Sequence, residues 1–240
     1  MSELEKLTAI VASPNKAFDA IRQRPTWVLP LALFFALNLL TQFVLYRVIA
    51  TDANFDQIAR AKIEWDARAA GLHPTQSGME TQIAALRQQR NYWYAEPLIG
   101  VPLSLLPMAV FFYILLRLVQ AGTTFRMVFS VLCWSFVIYR GIGGVFIIAA
   151  LLIHGAANFF PAPPEAWSPT SMAQLVSRSA ASPNVYSAIS KLDLFLVWWL
   201  AVLAIGFSRT SRSLSLKRST ALVATTEIAY LVFNAAGWLP

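Results

Sequence analysis

A chain of 240 residues that is 57% hydrophobic, only 13% charged and of mean hydropathy +0.56 lies outside the range of soluble domains, so water is not its main solvent. The net charge of +7 and pI near 9.9 would point a soluble protein toward nucleic acid, but here the charges stand at the ends of apolar runs, where they set topology. The single cysteine, Cys133, rules out a disulfide within the chain and any CxxC-type redox or metal site.

The first 26 residues read as cytoplasmic interfacial amphipathic helices. Leu4, Leu7, Ile10 and Val11 share a face, and Lys16, Arg22 and Arg24 follow near the membrane. Such a segment suits an anionic leaflet, where each basic residue contributes about 1 kcal/mol near the surface. Residues 27–240 are expected to form a membrane domain, because runs of roughly 20 apolar residues are what a helix needs to cross the hydrocarbon core. The first run, 27–49, is too long for a signal-peptide core and lacks a cleavage pattern, which predicts a signal anchor.

Residues 51–96 are polar and predict an external hairpin of two amphipathic helices. Phe55, Ile58, Trp65 and Ala69 lie on one face and Ile83, Leu86 and Trp93 on the other, with Gly71-Leu-His-Pro and Ser77-Gly78 as breakers. A second span follows at 98–118. The stretch 125–154 is too long for one straight crossing at 1.5 Å per residue. Arg140, with Gly141, Gly143 and Gly144 behind it, predicts a break there: a helix to about Tyr139 at or dipping into one interface, then a short span. The proline-rich segment 155–190 is expected to be an irregular external loop. Spans at 192–208, where Trp198 and Trp199 suit a lipid-facing or interfacial surface, and at 219–237 complete an all-α, polytopic helical bundle of about five spans.

Lysine and arginine choose the orientation. One side gathers Lys6, Lys16, Arg22, Arg24, Arg117, Arg126, Arg209, Arg212, Lys217 and Arg218 against Glu3, Glu5 and Asp19, whereas basic and acidic residues nearly balance on the other. The N-terminus is therefore expected in the cytoplasm and the C-terminus outside.

Ser13-Pro14-Asn15-Lys16-Ala17-Phe18 places a capping serine before a proline at a first helical position, with Ile21, Pro25 and Pro30 leading into the membrane. This ordering resembles the Yip domain family, the Ypt/Rab-GTPase-interacting membrane proteins, in which a short "SP…F" helix precedes five spans. Ala121-Gly122-Thr123-Thr124-Phe125 is similar to the family's Gly-Thr turn. Asp193-Leu-Phe…Trp198…Ile205-Gly206 with the basic link after it resembles the fourth span and its cytoplasmic connection. The resemblance implies a small polytopic protein without catalytic residues. Eukaryotic members are associated with prenylated Rab GTPases and vesicle traffic, and some bacterial members accompany ABC-type efflux systems. The short stretch before the first span departs from the eukaryotic pattern and speaks against Rab-type GTPase binding, which leaves a bacterial cytoplasmic-membrane member as the expectation.

Charges inside apolar sequence are candidate functional residues by default, and Arg140 and Glu227 are the two deepest. Glu227, Tyr230 and Asn234 share one helical face, as Asn38, Gln42 and Tyr46 share another, and the two faces predict an intramembrane polar network that also packs the helices. Asp193 reads as an interfacial carboxylate near a helix start. His73 and His154 are far apart and lack ligand spacing, so no metal or cofactor is expected. HExxH, GxSxG and Walker signatures are missing. Trp65, Tyr92, Trp93 and Tyr94 are a candidate partner surface on the hairpin, because such aromatics anchor interfaces. The functional expectation is a non-enzymatic protein that organises membrane lipids and a membrane-protein partner or a second copy of itself. Its most concrete form is an accessory to an ABC-type efflux complex. The alternative is a small transporter or channel using Arg140 and Glu227 along a polar path.

Overall fold

The computed structural model describes residues 1–92, 95–154, 164–177 and 180–236, and among them every regular element is helical. Among the described residues three helices are long and apolar enough to cross a membrane: Val28–Val48, Leu98–Leu118 and Phe125–Ile153. A fourth is obtained if the pair Pro183–Ser190 and Leu194–Thr210, bent by 58°, counts as one span. The chain divides into two compact units, the first made of Met1–Asn38, Pro97–Gly143 and Phe195–Ile228, the second of Leu39–Glu96, Gly144–Leu194 and Ala229–Pro240.

The first unit begins with α1 (Glu3–Ala12) and α2 (Pro14–Gln23). Ser2 and Glu5 form a capping box: Ser2 Oγ accepts the Glu5 amide at 3.2 Å while the Glu5 carboxylate accepts the Ser2 amide at 2.6 Å. The expected apolar face is divided. Ile10 is fully buried and Leu7 packs beside the core, but Leu4 and Val11 stay exposed, so α1 docks on its own protein rather than offering its whole face to lipid. Lys6, counted among the basic residues of the expected cytoplasmic side, is buried; its ammonium donates to Glu3 at 2.8 Å and to Thr26 at 3.1 Å, which is what makes burial tolerable.

One core joins α2 to parts of α3 (Val28–Phe43), α6 (Ala95–Leu118), α7 (Phe125–Phe136), α10 (Leu194–Thr210) and α11 (Leu216–Ala235). Phe18, Trp134, Phe207, Leu105, Leu116, Leu132 and Leu203 fill the interior. Trp134 donates its indole N–H to the Thr26 carbonyl at 2.8 Å, tying α7 to the residues that enter the membrane. Trp199 is not lipid-facing as its neighbourhood suggested: it is buried, stacks on Tyr139 at 5.5 Å, and donates to Ser135 Oγ at 3.1 Å. An indole that finds both a ring and a hydroxyl inside the core has no reason to sit in lipid.

The stretch after α7 does not break at Arg140. The backbone widens there into one π-helical turn, Val137–Ile142, and continues as α8 (Gly143–His154), so Phe125–Ile153 is a single helix of 29 residues. A π turn absorbs one extra residue without ending the helix. A similar π turn, Val44–Ile49, ends the first span.

In the second unit, α4 (Phe55–Ala69) and α5 (Gln76–Arg90) form the expected hairpin, with Phe55, Ala59 and Ile63 packed against Met79 and Ile83. Gly71 turns the chain at φ 69°, as a breaker should. Ser77-Gly78 does not act as one. It is the first turn of α5, because Thr75 Oγ1 accepts the Gly78 amide at 3.2 Å and caps the helix. The proline-rich segment is less irregular than expected: Ser182 caps and Pro183 opens a short helix, α9 (Pro183–Ser190), since proline at the first helical position gives up no hydrogen bond. Residues 155–163 and 178–179 of that segment lie outside the described residues.

Candidate functional site

Of the three segments that stood out in the sequence, the first two and all of the third from Phe195 onward fall in the first unit, and Phe18 of the first meets Gly206 of the third in van der Waals contact. Phe18, from the Ser13-Pro14 helix, lays its ring against Gly206 of α10 with Val131 of α7 on the other side. A Cβ built on Gly206 would sit 2.5 Å from Val131 Cγ1 and 2.8 Å from Phe18 Cζ. Only glycine admits this approach, and the sequence signal for it is a lone glycine inside an apolar run. Besides the Trp134 bond to Thr26, other hydrogen bonds hold the N-terminal segment in place: Arg126 Nη2 donates to the Pro25 carbonyl at 3.1 Å, and Arg209 Nε donates to Asn15 Oδ1 at 2.8 Å.

The Gly-Thr turn after α6 is locked to the basic link before α11. Gln120 and Gly122 both take positive φ, 55° and 65°. Ser213 Oγ donates to the Gln120 carbonyl at 2.7 Å, and the Arg212 amide donates to the Ala121 carbonyl at 2.9 Å. Gly122 is closed over by Arg212, whose Cβ lies 3.2 Å from where a side chain would begin. Thr124 Oγ1 accepts the Met127 amide and caps α7. This tie between two connections was not visible in the sequence, because it depends on backbone groups far apart in the chain.

The expected intramembrane network is divided between the two units. Arg140, Asn38 and Glu227 belong to the first; Gln42, Tyr230 and Asn234 belong to the second. Arg140 is exposed on its π turn, with its guanidinium over the Tyr139 ring at 5.1 Å. Asn38 turns back on its own helix and donates to the Phe34 carbonyl at 3.0 Å. Glu227 is half-buried on α11. Tyr230 accepts a hydrogen bond from Lys191 at 2.9 Å, and the same ammonium lies 4.7 Å from its ring. Asn234 is buried, and Gln42 Oε1 is buried without a hydrogen-bond partner among the described residues.

The candidate partner surface needs a correction. Trp65 is 8% exposed and packs edge-on against Tyr186 at 5.6 Å, so it serves the core of the second unit. Tyr92 is 56% exposed, while Trp93 and Tyr94 lie outside the described residues. Arg90 holds the base of the hairpin: it donates to the Tyr46 carbonyl at 3.2 Å, pairs with Asp52, and lies over the Phe55 ring at 5.3 Å.

Long apolar helices and a packed apolar unit with tied connections define a multi-pass, all-α membrane protein. Comparison with protein families matches the Yip1 domain over residues 8–237, and the chain belongs to that family. Neither a curated protein nor a solved structure matches it.

Proposed function

We propose that the protein is a non-enzymatic five-span member of its family that organises partners in a bacterial cytoplasmic membrane, with an accessory role beside an ABC-type efflux complex as its concrete form. The observation that carries the reading is the interior of the first unit. Phe18, Trp134, Phe207 and their neighbours fill it with apolar side chains, and the polar atoms there turn to nearby groups, as Ser130 does to the Arg126 carbonyl at 2.8 Å. A packed apolar interior suits a scaffold, whereas a transport path needs a polar route. The fifth crossing is α11. It is 20 residues long, and Lys217, Arg218 and Glu227 keep it less apolar than the other spans. The orientation follows the basic side, with α1, α2 and the connections after α6 and α10 in the cytoplasm and the hairpin outside.

The test uses the intact protein in two arms. Purification in mild detergent should recover a stoichiometric membrane-protein partner, and Tyr92→Ala should weaken its recovery. Reconstituted alone in liposomes, the protein should carry no ion or solute flux. A flux abolished by Glu227→Gln would overturn the scaffold reading in favour of a transporter using Arg140 and Glu227.

A further inference from the structure

The first unit contains a cleft of about 310 Å³ between α2 and the end of α10, lined by Asn15, Asp19, Arg22 and Arg209 with Ile205 and Leu216 at its apolar edge. Asn15, Asp19 and Arg22 follow one another at i, i+4 and i+7, so α2 presents them on one face. Arg209 reaches across from the last turn of α10. Its Nε is fixed on Asn15 at 2.8 Å, and its Nη1 lies 3.9 Å from Asp19. Arg22 makes one bond, from Nη1 to the Arg209 carbonyl at 3.4 Å, and no carboxylate among the described residues pairs with it. Its remaining guanidinium donors are therefore available.

We propose that this cleft binds the phosphate of an anionic phospholipid headgroup. Two guanidinium groups against one carboxylate leave the cleft net positive. Guanidinium donors match phosphate oxygens in paired geometry better than any other side chain. The cleft also lies at the end of α10, part of a candidate span, with Ile205 and Leu216 beside the charges. A lipid presents that same order of groups, phosphate then hydrocarbon, and basic pockets at helix ends take anionic headgroups. Asp19 acts as the counter-charge that holds Arg209 in place and sets the ceiling on affinity. The proposal needs the chain to be in a membrane and is independent of whether it recruits a partner.

The experiment is lipid retention by the full chain in mild detergent, read by native mass spectrometry with phosphatidylglycerol and phosphatidylcholine offered together. Phosphatidylglycerol should be retained preferentially. Arg22→Gln should lower that retention about tenfold, the scale of one or two charge-assisted hydrogen bonds, and Asp19→Asn should raise it. Arg22→Lys should recover part of the loss by restoring charge without the fork. Slow maleimide labelling of the buried Cys133 confirms that each variant is folded. Equal retention of the two lipids, or retention unaffected by Arg22→Gln in a folded protein, overturns the proposal. Displacement of phosphatidylglycerol by millimolar inorganic phosphate would assign the cleft to soluble phosphate esters and overturn the lipid assignment.

Discussion

Replacing Gly206 by alanine adds one methyl group at a close contact of α10 with Phe18 of α2 and Val131 of α7. In an open helix the change would stabilise, because glycine costs about 1 kcal/mol relative to alanine. Here the new carbon would lie 2.5 Å from Val131 Cγ1 and 2.8 and 2.9 Å from two atoms of the Phe18 ring. Carbon pairs settle near 3.5–4.0 Å, so the helices must part by about 1 Å. Phe18 and Val131 are both fully buried and have no open space to move into. Overpacking of this kind costs about 1–3 kcal/mol, which outweighs the helix gain and leaves a net loss of up to about 2 kcal/mol. The assay is thermal unfolding in detergent together with maleimide labelling of Cys133, which belongs to the same core and is 2% exposed. Where labelling follows opening, a loss of about 1.4 kcal/mol raises its rate about tenfold. Val131→Ala in the Gly206→Ala background should recover more stability than additivity allows. Slower Cys133 labelling and a higher melting temperature in Gly206→Ala would show that the three helices do not meet as described.

Trp134→Phe keeps the ring bulk but removes the 2.8 Å bond to Thr26, leaving a part-buried carbonyl without that donor; a loss of about 1–3 kcal/mol is expected in denaturant unfolding. Acid should weaken the N-terminal docking through Glu3. Burial pushes its carboxyl up, but hydrogen bonds from Lys6 and Thr26 and the charges of Lys6 and Arg24 outweigh it and hold it below the ordinary 4.5. Its contribution is therefore complete above about pH 4.5 and lost as pH falls through the lowered value, and Glu3→Gln should flatten that part of the stability–pH profile. The expected pairing of Arg140 with Glu227 predicts that Arg140→Gln and Glu227→Gln together destabilise less than the sum of the single changes; additive effects in that cycle would separate the two residues.

The helical stretches and the hairpin were legible because apolar length and polar breaks are local properties of sequence. Gly71 announced its turn, and Ser13-Pro14 announced the start of α2, each through backbone chemistry a single residue carries. Some of the misses are local and the others tertiary. Ser77-Gly78 reads as a breaker until Thr75 supplies the cap, and Arg140 with three nearby glycines reads as a break although a π turn accommodates the register. Trp65 and Trp199 looked like surface anchors, since nothing local says that Tyr186, Tyr139 and Ser135 will enclose them. Lys6 read as one of the charges that set topology, and its second partner, Thr26, lies 20 residues away and meets it only when α1 folds back. Gly206 was named as part of a resemblance, but its role became visible only when Phe18 and Val131 closed on it.

The most direct test of the five-span account is the side of the membrane on which each connection lies. Single-cysteine variants in a Cys133→Ser background, Leu4→Cys, Ser77→Cys, Lys217→Cys and Ala236→Cys, each place a thiol at an exposed position. A membrane-impermeant maleimide applied to intact cells should label the Ser77→Cys and Ala236→Cys variants and leave Leu4→Cys and Lys217→Cys unlabelled until the cells are opened. Labelling of Ser77→Cys and Lys217→Cys from the same side would contradict the account, since the hairpin and the basic link would then share a face of the membrane.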